Sequence, residues 1–231
     1  MSTTARTAEA KPSGSFKLTP EIGALVALIA IALVLALLSR YFFTLSNFTN
    51  LLKQVAIVGI AGVGVTMVII SGGIDLSIGT GISLIAVLVA GFMQFNGMHP
   101  AVAVTLVLLI GCAMGLLNGS MVTFFRIPPI IATLSTLMAF KGAALVYTNG
   151  YTIPLIQKFM FLGRGQLGAL PVSTLILAAV YIIGWIVLRF TMLGRIAYGL
   201  GGNEEAVHLS GISVRKYRLI LYTISGFCAG L

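Results

Sequence analysis

The chain has 231 residues, of which 58% are apolar and only 19 are charged, 14 basic and 5 acidic. A soluble domain usually carries about 25% charged residues, so the value of 8% here excludes a soluble globular domain and a disordered chain. The net charge of +9 does not indicate nucleic-acid binding, because the basic residues are spread between apolar runs instead of forming a stripe. Asp75 is the only charged residue between Gln54 and Phe125. Such a charge distribution is typical of a polytopic membrane protein.

Six apolar runs are long enough to cross a bilayer, whose core of about 30 Å requires roughly 17 to 25 helical residues. They cover residues 22–38, 55–71, 76–94, 101–122, 129–148 and 171–190. A seventh run begins near Leu219 and reaches Leu231 after 13 residues, which is too short for a span. Polar residues separate the runs, for example Ser46, Asn47 and Asn50 before the second. The sequence therefore predicts an all-helical polytopic membrane protein with six complete transmembrane helices and the start of a seventh.

The distribution of Lys and Arg predicts the orientation of the chain. If the N-terminus is cytoplasmic, nine basic residues lie on the inner side: Arg6, Lys11, Lys17, Arg126, Arg189, Arg195, Arg215, Lys216 and Arg218. Five then lie on the outer side: Arg40, Lys53, Lys141, Lys158 and Arg164. Cytoplasmic segments carry an excess of Lys and Arg, so this count favours an inner N-terminus. We expect a cytoplasmic tail over residues 1–20, a membrane domain over 21–231 that includes a cytoplasmic loop over 191–218, and an outward-facing segment over 149–170.

Gly111, Gly115 and Gly119 recur every four residues in the fourth run and therefore lie on one face of a helix. Glycine lets two helix backbones approach closely, because no side chain intervenes. Helix packing is the simplest interpretation of this face. A lining for a polar pathway is the alternative.

Asp75 is an ionisable residue at the edge of a predicted span, next to Gly72, Gly73 and Ser77. An ionisable side chain at such a position is expensive and indicates a specific partner or function. Its carboxylate can accept N–H groups from the first turn of the third span, where the helix dipole favours negative charge. Contact with a transported solute and a proton relay are the alternatives. The sequence contains no catalytic constellation, nucleotide-binding loop or metal-ligand spacing, so we expect no enzymatic activity, no cofactor and no metal.

The polar stretch over residues 195–218 contains two of the five acidic residues of the chain. Residues 204–210 have a helix-forming composition and Asn203 is suited to cap a helix, so a short amphipathic helix outside the membrane is expected. This segment is either a solvated connector or a docking helix for a cytosolic partner.

Three segments carry a resemblance to a known family. Residues 65–79 read VTMVIISGGIDLSIG, Asn118 and Gly119 are followed by IPPIIATLST over residues 127–136, and residues 202–214 read GNEEAVHLSGISV. In this order they resemble the membrane-spanning permease subunit of the ribose-type ABC sugar importers. Ser135 and Lys141 depart from the family pattern, which has Gly and Arg there. The resemblance covers about residues 20–231, and family members continue further, so the chain is expected to be truncated at its C-terminus.

The resemblance implies a permease of the bacterial inner membrane that translocates a ribose-like pentose, a hexose or a polyol. The implied partners are an extracytoplasmic sugar-binding protein, cytosolic ATP-binding subunits that hydrolyse the ATP, and a second permease copy, identical or not. The segment implied to dock on the ATPase comprises Asn203, Glu204, Glu205, Ala206, Val207, His208, Leu209, Ser210 and Gly211. The alternatives are a permease of the branched-chain amino-acid importers and a proton-coupled secondary transporter that uses Asp75.

Overall fold

The computed structural model describes residues 20–154, 163, 165–168 and 170–231. Within these residues the regular structure is helical, apart from one antiparallel pairing of two short strands, β1 (Gln166–Leu167) and β2 (Leu170–Pro171). The helices are α1 (Pro20–Leu38), α2 (Leu45–Ile70), α3 (Ile78–Gln94), α4 (Pro100–Thr123), α5 (Pro129–Thr148), α6 (Val172–Phe190), α7 (Met192–Gly202), α8 (Glu204–Leu209) and α9 (Val214–Gly230). The predicted all-helical class is therefore confirmed. The predicted tail over residues 1–20 lies outside the described residues except for Pro20.

Four helices of the described chain, α2, α4, α5 and α6, are long and apolar enough to cross a membrane. The apolar helical stretches Ile22–Leu38 and Ile78–Gln94 are shorter. At 1.5 Å per residue, α3 with its 17 residues measures about 25 Å, less than a bilayer core of about 30 Å. The structure thus supports a polytopic membrane protein with four clear spans, whereas the sequence predicted six complete spans and the start of a seventh.

Proline and asparagine residues account for several helix boundaries. Pro100 and Pro129 stand at the first positions of α4 and α5, where the missing proline N–H leaves no bond unmade. The Nδ1 atom of His99 caps α4 by accepting the N–H of Ala101 at 3.3 Å. Helix α5 ends at Thr148 and is followed by Asn149, whose φ of 50° is the left-handed conformation that closes many helices.

Two local predictions are wrong. Helix α2 begins at Leu45, so Ser46, Asn47 and Asn50 lie inside a helix instead of separating two runs. Helix α7 occupies residues that were assigned to a polar loop, because its Gly194, Ile196, Ala197 and Leu200 are buried against the rest of the chain. The polar residues at the start of α2 can face solvent without destabilising the helix. An amphipathic helix such as α7 needs only one apolar face, so it can form within a largely polar stretch.

The charge count also changes. Lys141 was counted on the outer side, although the predicted run over residues 129–148 contains it, and it lies inside α5, twelve residues after Pro129. Lys53 likewise lies inside α2. Both are therefore helical residues and do not belong to loops. Lys158 and Arg164, which were also counted as outer, lie outside the described residues.

The chain divides into two compact units between Phe48 and Thr49. The first unit contains α1 and the first residues of α2. In the second unit, α9 lies at the centre, since it contributes Leu221, Tyr222 and Ala229 to three separate apolar clusters. These clusters connect α9 to α2, α3, α4, α5 and α7. A shift of α9 would therefore disturb most of this unit, because packed interiors transmit displacement.

Candidate functional site

The connection between α2 and α3 is a non-helical break over residues 71–77. Gly72 has a φ of +79°, a conformation that L-amino acids with a side chain adopt at a cost. At Gly73, a Cβ atom would stand 2.8 Å from the Tyr222 hydroxyl and 2.9 Å from a methyl of Val68. Both glycines are therefore required for the chain to turn here against α9.

Asp75 is buried in this break, with 6% of its surface exposed. Its Oδ1 accepts the backbone N–H of Ser77 at 3.1 Å and the Ser77 hydroxyl at 2.7 Å. Its Oδ2 accepts the hydroxyl of Ser225 in α9 at 2.9 Å. Among the residues that the structure describes, no cationic side chain pairs with this carboxylate. A buried carboxylate needs such hydrogen bonds, because burial removes the water molecules that would otherwise solvate it.

The hydrogen bonds continue from Ser77 into two further helices. Asn118 in α4 donates its Nδ2 to the Ser77 hydroxyl at 2.7 Å. The hydroxyl of Thr136 in α5 donates to Asn118 Oδ1, also at 2.7 Å. Asp75, Ser77, Asn118, Thr136 and Ser225 therefore form one buried set of side chains, which we call the Asp75 network. It joins the α2–α3 break to α4, α5 and α9.

The break is also held through its backbone. The carbonyl oxygen of Ile74 accepts the hydroxyls of Tyr222 and Thr133, each at 3.3 Å. Tyr222 and Thr133 are both fully buried. Helices α5 and α9 thus form hydrogen bonds to Ile74, the residue before Asp75, as well as to the Asp75 network.

The four residues predicted for this site, Gly72, Gly73, Asp75 and Ser77, do lie together. The expected capping geometry differs in detail, since Ser77 occupies the cap position of α3 and the one backbone N–H that Asp75 accepts is that of Ser77. Ser225 and Tyr222 were not predicted from the sequence, because they lie about 150 residues away in the chain. Polar residues within apolar helices were the signal that could have indicated these partners, because buried polar groups form hydrogen bonds. The clearest example is Asn118, which is 1% exposed.

The short helix predicted near residues 204–210 is confirmed as α8. Asn203 caps it, since its Oδ1 accepts the N–H of Ala206 at 3.0 Å. Glu204 forms an ion pair of 2.7 Å with Arg218 in α9. Val207 packs against an apolar cluster of its own chain. One of its methyl groups lies so close to Gly199 that a Cβ atom at position 199 would stand 2.9 Å from it. Leu209, by contrast, is 80% exposed at the end of the helix.

A cavity of about 1130 Å³ lies beside α8. It is bounded by Gly72 in the break, by the α4–α5 connection around Arg126, by α8 and by the start of α9. Its charged and titratable lining residues are Arg126, Glu204, Glu205, His208, Arg215 and Arg218. Segments that are far apart in the sequence therefore meet at one end of the helices.

The three glycines of α4 lie against α9. A Cβ at Gly111 would stand 2.5 Å from the carbonyl oxygen of Gly226, and one at Gly119 would stand 3.1 Å from Tyr222 Cβ. At Gly115, a Cβ would collide with the Tyr222 backbone. The small residues of α4 and α9 therefore let the two backbones touch, in the manner of small-residue packing in membranes.

Gly115→Ala is expected to lower the free energy of unfolding by about 1 to 3 kcal/mol, because overpacking forces α4 and α9 apart. Gly142→Ala in α5 is a matched control, since a Cβ at Gly142 would meet no atom within 4 Å. The melting temperatures of the purified variants in detergent provide the measurement. Equal melting temperatures for the two variants would contradict the close approach of α4 and α9.

Among residues 20–154, 163, 165–168 and 170–231, no group of three His, Cys, Asp or Glu side chains is placed to hold a metal ion.

Known proteins resemble this chain over most of its length. A family model described as "Branched-chain amino acid transport system / permease component" matches residues 47–231. The ribose import permease protein RbsC of Bacillus subtilis (strain 168) is 37% identical over 214 residues, which cover 91% of this chain and 66% of the relative. The ribose import permease protein RbsC of Escherichia coli (strain K12) is 36% identical over 212 residues, with 90% and 66% covered. The D-allose transport system permease protein AlsC of the same organism is 32% identical over 209 residues, with 88% and 63% covered.

The chain thus spans about two thirds of the length of these curated relatives, 66% for the two ribose permeases. No solved structure matches it. The matched residues 47–231 include the Asp75 network, the glycine face of α4 and α8. The resemblance to ribose-type permeases that was inferred from three motifs is confirmed. By its match to the family model, the chain belongs to this family of transport-system permease components.

Proposed function

We propose that the chain is the membrane-spanning permease subunit of an ATP-driven importer that carries a monosaccharide. The observation that supports this most strongly is the similarity to two ribose import permeases over 90% or more of the chain. The similarity to a D-allose permease favours monosaccharides as a class. The permease itself performs no covalent chemistry, and the ATP is hydrolysed on a separate subunit.

The substrate class can be tested against the amino-acid alternative that the family description suggests. The permease, purified with its ATPase from membranes and reconstituted with the sugar-binding protein, is expected to accumulate labelled ribose, allose or another monosaccharide. Labelled leucine supplied with a branched-chain amino-acid-binding protein serves as the comparison. Uptake of leucine without uptake of any monosaccharide would contradict the proposal.

The proposed orientation places the N-terminus and residues 191–218 in the cytoplasm of a bacterium, with residues 149–170 outside. With α1 and α3 counted as crossings besides the four clear spans, helix parity assigns Gly72, Arg126 and α8 to the inner side. The three segments border the same cavity, which supports this assignment. A cytosolic ATPase would approach the permease at this face, with α8 as its docking element, while the sugar-binding protein would approach from outside.

Two features of α8 support the proposed docking role: the exposure of Leu209 and the ion pair that connects the helix to α9. Its exposed Leu209 is an apolar anchor for a groove of the ATPase, and Glu205 and His208 lie at the rim, where charges set orientation more than affinity. The ion pair of Glu204 with Arg218 connects α8 to α9, and Ser225 connects α9 to Asp75. Closure of the ATPase would therefore move α8, α9 and the α2–α3 break together, which is the link that alternating access requires.

A second permease copy, identical or related, would complete the pathway. A proton-coupled transporter that uses Asp75 receives less support, because both oxygens of the carboxylate are engaged in hydrogen bonds and the residue is buried. A proton relay needs a carboxylate that exchanges with water or with another titratable group.

A further inference from the structure

Lys141 is a cation in a helix that is long and apolar enough to cross a membrane. It lies twelve residues after Pro129 and seven before Thr148, so it is about 10 Å along the axis from the outer end of α5 in the proposed orientation. Its side chain is exposed, and in the described part of the chain it forms no ion pair. An exposed ammonium at this depth is unfavourable against lipid, so it requires either polar groups of the protein beside it or contact with the headgroup region.

A cavity of about 440 Å³ lies on the same flank of α5, between α5 and α3. Helix α5 contributes Ala144, Leu145 and Thr148 to its lining. Lys141 lies four residues before Leu145 and seven before Thr148, so the three residues share one face of α5. Lys141 is one helical turn closer to the middle of α5 than Leu145. The volume is within the range of about 300 to 1,000 Å³ that is usual for small-molecule sites.

The polar groups of this cavity are hydroxyls. Helix α3 supplies Ser83, α5 supplies Thr148, and the segment after α5 supplies Tyr151 and Thr152. The Ser83 hydroxyl donates to the carbonyl of Gly79 at 3.2 Å, and that of Thr148 donates to the carbonyl of Ala144 at 3.0 Å. The Ser83 oxygen therefore remains available as an acceptor. The Thr148 oxygen already accepts the N–H of Gly150 at 3.2 Å and keeps one further lone pair. The Lys141 ammonium offers three donors and no acceptor.

We propose that Lys141 and the α3–α5 cavity form a transit site for a monosaccharide, with the Lys141 ammonium donating to sugar hydroxyl oxygens. The hydroxyl oxygens of Ser83 and Thr148 accept from sugar O–H groups, so donors and acceptors are complementary to a polyhydroxylated ligand. The small side chains of Ala86, Ala90 and Ala144 leave room for the ring. The inference rests on the proposed function, and it identifies residues that contact the substrate.

Cysteine accessibility tests whether the Lys141 flank of α5 faces water. Lys141→Cys is made in a background with Cys112 and Cys228 replaced by alanine and treated with a charged methanethiosulfonate reagent in membranes. Ala139→Cys is the matched control, because it is exposed on the same helix, two residues away, but lies about 160° around the axis. We expect modification at position 141 and little modification at position 139.

Inert cysteines or equal rates at the two positions would overturn the transit site. Uptake provides the second readout. Lys141→Gln is expected to lower sugar uptake about tenfold, the loss that corresponds to one charge-assisted hydrogen bond, and Lys141→Arg less than about threefold. Unchanged uptake by Lys141→Gln would show that the ammonium only reaches the headgroups. If the wild-type complex takes up no sugar at all, the proposed function fails, and the transit site fails with it.

Discussion

Replacing Asp75 by alanine is expected to lower the free energy of unfolding by at least about 3 kcal/mol. The substitution leaves the Ser77 N–H and the hydroxyls of Ser77 and Ser225 without their acceptor, and each buried unsatisfied group costs about 1 to 3 kcal/mol. The melting temperature and the membrane yield of the permease provide the measurement. A variant as stable as the wild type would contradict the role of the Asp75 network in holding the α2–α3 break.

Asp75→Asn is the informative comparison. Its amide oxygen can still accept from Ser77, and its NH₂ group can donate to the Ser225 hydroxyl, which accepts as well as donates. We therefore expect a stability within about 1 kcal/mol of the wild type and continued transport. Ser225→Ala, which removes one of the three bonds, is expected to lie between the two. Loss of transport in a stable Asp75→Asn protein would instead indicate a role that requires the negative charge.

Leu209→Asp is expected to weaken binding of the ATPase at least about thirtyfold, since a buried interface anchor typically contributes 2 kcal/mol or more, or about that factor. Leu209 is exposed in the isolated chain, so the substitution leaves the fold of the permease intact. Co-purification of the ATPase with the permease, together with stimulation of ATP hydrolysis by the sugar-binding protein, provides the measurement. Permease abundance in the membrane is expected to remain normal.

Two further variants separate docking from folding. Leu209→Met keeps an apolar anchor of similar volume and is expected to retain binding. Val207→Ala is expected to lower the stability of the permease while the bound fraction of the folded protein stays unchanged, because Val207 packs onto its own chain. Undiminished co-purification with Leu209→Asp would show that α8 is a solvated connector.

The apolar runs predicted most of the helices because the length and composition of a run are local properties of the sequence. The boundaries of α5 followed from Pro129 and Asn149 for the same reason. The number of clear spans did not follow, since α3 begins only after the break at residues 71–77 and is short. Helix α7 was missed because its burial depends on contacts with other helices, which a hydropathy count does not include.

The candidate site likewise has local features, which the sequence predicts, and contacts between distant residues, which it does not. The sequence singled out Gly72, Gly73, Asp75 and Ser77 and predicted that the Asp75 carboxylate accepts nearby N–H groups, because these relations are local. The partner of the second carboxylate oxygen, Ser225, is 150 residues away and is positioned by the packing of α9 on α4. Lys141 lies inside the predicted run over residues 129–148 and inside α5, whereas the charge count included it on the outer side.

We propose that ATP drives a monosaccharide through this permease. The most direct measurement is uptake of a labelled monosaccharide into proteoliposomes that contain the permease and its ATPase, with the binding protein outside and ATP enclosed. Uptake is expected to require ATP and the binding protein together and to be indifferent to a proton gradient. Uptake driven by a proton gradient without ATP would contradict the account and would restore Asp75 as a proton site.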